Sequence, residues 1–158
     1  MLLFLECHLV IVLEINRTLT DIHPRHNLIN WINAVLIVRN NMYQKMKPFV
    51  QQEFISAKKF AAEGDSRQAF NALENAHVLG QHSTILHVKS HLKMLQWAIS
   101  QNDLKEALGQ IFRIVGAATK TFVGLVPSGN TGGSNVSPFK AMPLSERNKR
   151  IIKLVNES

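Results

Sequence analysis

The sequence predicts an all-α fold: a small antiparallel bundle of about four helices with tetratricopeptide-like hairpins, followed by an irregular Gly-rich C-terminal segment. Three observations carry this expectation. After Met42, apolar residues recur at helical spacing in runs of ordinary helix length. Short turns at Gly64-Asp65 and Asn102-Asp103 separate those runs, and short turns imply antiparallel neighbours. From Val126 to Pro143, the string VPSGNTGGSNVSPFKAMP holds three prolines and three glycines, which a helix does not accommodate.

In chain order, residues 1–41 show no clean period and read as an N-terminal extension, with Met42 or Met46 as the favoured true start. Residues 42–126 form the helical domain, and residues 127–158 the Gly/Asn-rich segment and a short basic helix. The first helix is expected to open at Pro48, because proline suits a first helical turn, and to carry Phe49, Phe54, Ala57, Phe60 and Ala61 until Gly64 stops it. Asp65 then caps a second helix, with Gln68 completing a capping-box pattern and Ala69, Phe70, Leu73, Ala76 and His77 as its inward stripe. Ser83 or Thr84 caps the third helix, whose apolar positions are Val88, Leu92, Leu95 and Ile99. Asn102 or Asp103 opens the fourth, with Leu104, Leu108, Ile111, Val115 and Phe122 expected inside. The strings RQAFNAL and KEALGQI follow equivalent turns about 38 residues apart, against the ~34-residue tetratricopeptide period. Two such units are too few for a solenoid, so a bundle is favoured. A short basic helix is expected from Ser145 to Val155; composition alone makes the whole C-terminal stretch a flexible tail.

A chain of 158 residues with 46% hydrophobic residues is long enough for one domain with its own core and too short for two domains. Its formal charge is +7, and the entire excess lies after residue 41. Those cations are scattered except for Arg147, Lys149, Arg150 and Lys153, and no groove-reading motif or stacking platform accompanies them, so nucleic acid is not the favoured partner. The single cysteine, Cys7, excludes an internal disulfide and a thiolate zinc knuckle, which points to a cytoplasmic protein. Glu6 and His8 interrupt the apolar N-terminal run, which has no basic start, so it is not read as a signal peptide. Neither that run nor Trp31 to Val38 reaches the ~18 apolar residues of a membrane span.

The chemistry-bearing pattern is a Glu/His cluster. Glu74 and His77 are three apart on the second helix, and His87 and His91 four apart on the third, so each pair shares a face. With the turn centred near residue 82, His77 and His87 stand five residues from it on either side, hence at equal height in an antiparallel hairpin. Carboxylate and imidazole converging between helices are the ligands that hold zinc or iron in helix bundles. Glu53 is the expected fifth ligand, whereas Glu106, third after Asp103, is occupied by a capping box. A lone histidine is more often a packed core residue than a ligand, and only the matched heights favour a site here. His82 falls in the turn and reads as solvated. No catalytic residue is assigned: Cys7 is isolated, and no serine sits in a strand-to-helix elbow. The SGNTGGSN stretch offers backbone amides to an anion but lacks the Lys-Ser/Thr ending of a phosphate loop. The leading reading is a divalent transition metal protein that buffers or senses its ion; the alternative is a helical module that holds a protein partner and no metal.

The strings AAEGDSRQAFNALENAHVLGQ, HVKSHLKML, GQIFRIVGA and VPSGNTGGSNVSPFKAMP resemble the bacterial family catalogued as domain of unknown function 3703, over roughly residues 46–144. The resemblance implies that Glu53, Glu74, His77, His87, His91 and the Gly129, Asn130, Thr131, Gly132, Gly133 segment are family features, and that His82 is particular to this chain. It carries no established activity. It also implies that the glycine-rich segment folds back over the Glu/His layer as a lid. Members are often encountered beside heavy-metal resistance genes, an association that agrees with the ligand geometry.

Overall fold

A computed structural model describes the backbone of residues 26–120 and 127–157, and side chains over residues 41–117 and 127–157. The chain divides into two compact units, residues 1–39 and 40–158, and the second carries the histidine cluster. Among the described residues there are five helices and no strand: α1 (His26–Ala62), α2 (Ser66–Gly80), α3 (Thr84–Ser100), α4 (Leu104–Lys120) and α5 (Glu146–Glu157). The expectation for residues 1–41 falls largely outside the described residues, as does the Phe122 side chain. No helix among the described residues is long and apolar enough to cross a membrane.

Two nearly identical stops punctuate the bundle. At the end of α1, the Asp65 N–H donates to the Phe60 carbonyl and the Gly64 N–H to Ala61, a Schellman closure that places Gly64 at φ 78°, where a Cβ is disfavoured. At the end of α3, Asp103 and Asn102 make the equivalent bonds to Ala98 and Ile99, with Asn102 at φ 56°. Each aspartate then caps the next helix, Asp65 Oδ1 accepting from the Gln68 N–H at 3.0 Å and Asp103 Oδ1 from the Glu106 N–H at 2.9 Å. Ser83 occupies the N-cap of α3 without a side-chain cap bond.

Pro48 does not open α1; it lies inside a helix of 37 residues. Proline in a helix interior costs ~3 kcal/mol. Here the residues on both sides of it oppose that cost: Met46 and Val50 are fully buried, with Met42, Tyr43, Phe49 and Phe54 packed around them, while Pro48 itself faces solvent. Each fully buried apolar side chain contributes ~1.5–3 kcal/mol. One core joins Met46 and Val50 of α1 to Ala76 and Leu79 of α2, Leu86 of α3 and Val155 of α5. A second joins Ala57, Ala72, Leu73 and Met94, flanked by Phe70 against Trp97. The last helix is therefore part of the fold and not a flexible tail.

The stripe expected on α2 is inward, with Ala69, Leu73, Ala76 and His77 buried and Phe70 half-buried. The third and fourth helices differ from expectation. On α3, Leu92 and Ile99 are exposed, and the buried face is Leu86, His87, Ser90, His91, Met94 and Ala98. On α4, Leu104, Leu108, Ile111 and Val115 are all exposed, and the inward residues are Glu106, Ala107, Gln110 and Ala117. Positions 106, 110, 113 and 117 lie two residues, ~200°, from the apolar stripe, so α4 turns its polar face inward. The reason is what that face covers.

Candidate metal centre

His77 stands in the last turn of α2, and His87 and His91 in the first two turns of α3. The antiparallel turn between Gly80 and Ser83 lets the two helices approach closely: a Cβ at Gly80 would come within 3.0 Å of the Leu86 Cβ. The three rings meet with centroids 4.6, 4.6 and 4.9 Å apart. Their nitrogens offer three ligand atoms within 4.8 Å of one another, and all three residues are buried.

Two of the imidazoles have their proton position fixed by what faces them. His77 Nδ1 lies 2.9 Å from the Asn130 carbonyl, which only accepts, so Nδ1 carries the hydrogen. His91 Nδ1 lies 2.6 Å from Oε1 of Gln110. The orientation of that amide is set at its other end, where Nε2 donates to the Glu106 carboxylate at 2.5 Å and to the Gly132 carbonyl at 2.9 Å. Both partners are pure acceptors, so the Gln110 oxygen must face His91 and receive its Nδ1 hydrogen. Nε2 of His77 and of His91 is thereby left with its lone pair. Metal-binding histidines are oriented in this way, one nitrogen donating to a fixed acceptor and the other left to ligate.

Burial pushes all three imidazoles down: His77, with repulsion from His91 and His87 added, lies well below its ordinary value; His87, with repulsion from His91 and His82 added, is pushed down to about 3; and His91, with the Gln110 bond and Glu106 opposing, to about 4. Arg113 repels a proton on each of them as well. Neutral imidazole at neutral pH is the form a metal ion requires.

Of the five ligands expected from sequence, the structure brings together His77, His87 and His91. Glu74 lies elsewhere. A three-residue step turns ~60° back around a helix and a four-residue step ~40° forward, so Glu74 and His77 share a face only loosely. Its half-buried carboxyl bonds Thr131 and lines a separate cavity of about 300 Å³ with Asn71, Asn75 and Asn148. Burial raises its pKa, the Thr131 bond opposes this, and Glu106 adds to it. Glu53 is buried on α1 and pairs with Arg147 of α5. His82 is exposed in the turn.

The glycine-rich segment covers the cluster. Gly132 stands at φ 84° with its backbone against the His77 ring, where a Cβ would come within 2.8 Å. Asn130 organises the segment: its Nδ2 donates to the Ser137 and Lys140 carbonyls and its Oδ1 accepts from the Gly132 N–H. Gly129 packs on the Met142 carbonyl, Gly133 faces Glu74, and Thr131 bonds that carboxyl. Sequence reasoning set Glu106 aside and missed Gln110 and Arg113, all three on α4. The Glu106 carboxylate, instead of closing a capping box, accepts the Ser134 N–H through both oxygens. Arg113 donates to the carbonyls of Gly133 and Val136. Gly109 allows Ser134 to approach, since a Cβ there would come within 2.5 Å of the Ser134 Cβ. The spacing of Glu106, Gln110 and Arg113 on one stripe was the available signal. Between segment and histidines lies a cavity of about 130 Å³, lined by the three imidazoles, Arg113, Phe112 and Pro138 among others.

Fold and cluster together define an all-helical protein with three buried, neutral imidazoles under a glycine-rich cover. The chain belongs to the DUF3703 family, described as a protein of unknown function, whose model matches residues 44–152. That match takes in the C-terminal part of α1, all of α2, α3 and α4, the cover and most of α5. No curated protein matches this chain. No solved structure matches it either.

Proposed function

We propose that this protein holds a divalent transition metal ion through Nε2 of His77, Nε2 of His91 and a ring nitrogen of His87, and serves to buffer or sense that ion. The observation that carries this reading is the cluster itself: three buried imidazoles with ligand atoms within 4.8 Å, two of them donating their other nitrogen to a fixed acceptor. Tetrahedral zinc, with Zn–N of ~2.0–2.1 Å, sets its nitrogens ~3.3 Å apart, so the rings close by an ångström or so on binding. An all-imidazole set favours zinc over iron, because di-iron sites in helix bundles are carboxylate-rich and the two carboxylates here have other partners. The test is elemental analysis by mass spectrometry of the tag-free full chain beside a His77→Ala/His87→Ala variant. Near-stoichiometric metal in the parent and none in the variant is expected; a parent that takes up no ion on reconstitution refutes the reading.

A second reading, a module for a helical protein partner, draws on one observation: Leu104, Leu108, Ile111 and Phe112 of α4 are exposed along one stripe. It gives no account of why three histidines converge.

A further inference from the structure

A divalent ion bound by the three histidines, the metal assignment above on which this inference rests, meets too little negative charge. Three neutral imidazoles contribute nothing to balance a divalent ion. Glu53 is paired with Arg147, and Glu74 lines a separate cavity and not the one the three rings share. Arg113, half-buried, lines the same cavity as the three rings, and the Gly133 and Val136 carbonyls hold it there. Glu106 acts on both Arg113 and His91 and supplies one negative charge. A divalent ion plus the guanidinium, set against Glu106, leaves two positive charges beside a cavity walled by Phe112, Pro127 and Pro138. Buried charge without a partner is strongly disfavoured, and the cheapest remedy is a counter-ion within contact distance.

We propose that the metal ion in this site takes a small anion, a carboxylate or oxyanion, as its outer ligand, seated in the cavity between the ion and Arg113. Three protein ligands leave a tetrahedral ion one open position, the arrangement of exchangeable-ligand sites rather than closed structural ones. The cavity of about 130 Å³ exceeds the ~10–15 Å³ that a single water needs, so it has room for a small anion. Phe112 and Pro138 on its wall are exposed, which gives such an ion a route from solvent. A guanidinium presents the planar donors that suit carboxylate and oxyanion geometry.

The experiment loads the full chain with cobalt(II), confirms uptake by elemental analysis, and follows the visible ligand-field bands in a non-coordinating buffer. Acetate is titrated against acetamide, which has nearly the same shape and no charge. Acetate is expected to shift the bands saturably and to bind at least tenfold more tightly than acetamide. Arg113→Met is expected to weaken acetate at least tenfold while changing acetamide little, with Arg113→Lys recovering part of the loss. Because Arg113 also anchors the cover, the acetate-to-acetamide ratio in the parent tests the anion ligand independently of any variant, and an unchanged ratio in Arg113→Met overturns its seat beside Arg113. Equal binding of the two, or bands that neither ligand moves, overturns the anion site while leaving the metal site standing. A parent that takes up no cobalt overturns both.

Discussion

Replacing Gln110 with leucine preserves most of the side-chain volume and removes three hydrogen bonds at a fully buried position. Glu106 keeps its bonds from Ser134, so two groups are orphaned: the Nδ1–H of His91 and the carbonyl of Gly132. A buried polar group deprived of its partner costs ~1–3 kcal/mol, so Gln110→Leu is expected to destabilise the metal-free protein by roughly 2–6 kcal/mol. Urea unfolding followed by circular dichroism measures this, with a lower midpoint and an unchanged slope. The same change frees His91 to rotate or to exchange tautomers, and loss of an orienting partner weakens metal affinity by ~10–100-fold. A variant within ~0.5 kcal/mol of the parent that also binds metal normally would refute the argument that Gln110 fixes the His91 proton.

Gly132→Ala sets a Cβ against the His77 ring at a φ that L residues rarely adopt; it is expected to lower the urea midpoint and to displace the His77 ring resonances by NMR, and an unshifted ring would show that the cover does not press on it. The metal-free protein is expected to lose stability as the medium is acidified. His87 and His91 titrate at about 3 and about 4 when folded but near ~6.5 when unfolded, so the unfolded chain takes up protons first. Stability is then complete above pH ~6.5 and falls toward pH ~4 by up to ~1.4 kcal/mol per unit for each imidazole, and equal urea midpoints at pH 7.5 and 5 would contradict the burial argument. Leu104→Gln/Leu108→Gln is expected to stay within ~0.5 kcal/mol per site of the parent because both side chains are exposed, whereas a loss of ~2–5 kcal/mol at either would mean that α4 packs its apolar face inward after all.

What the sequence disclosed was local, and what it hid was pairing. The stops at Gly64-Asp65 and Asn102-Asp103 were legible because the residue types themselves favour the left-handed turn and the cap. The meeting of His77, His87 and His91 was legible because a tight antiparallel turn converts equal distance in sequence into equal height. Glu53 was not, since nothing local announces that Arg147, far along the chain, takes its carboxylate. Pro48 misled because a first-turn preference is weak beside the burial of Met46 and Val50 around it. On α4, two stripes of equal period compete: Leu104, Leu108, Ile111 and Val115 on one side, Glu106, Gln110, Arg113 and Ala117 on the other. Hydrophobicity chooses the first, and the partner surface chooses the second. A cluster of imidazoles needs acceptors, and apolar residues have none.

That inversion bears on whether the fold depends on its metal. A site that only a metal can satisfy leaves its ligands without partners when stripped, and small zinc domains unfold for that reason. Here the Nδ1 hydrogens of His77 and His91 already have acceptors, and two hydrophobic cores, around Met46 and around Met94, are built without the histidines. The metal-free protein is therefore expected to remain helical and to unfold cooperatively, with added ion raising its stability only by mass action, ~2.7 kcal/mol at a hundredfold excess over Kd. Chelation followed by circular dichroism and urea titration separates the cases. A chain that loses its helices when stripped would mean that the network of Gln110, Glu106 and Asn130 is assembled by the ion, whereas a helical one would mean that the network stands ready to receive it.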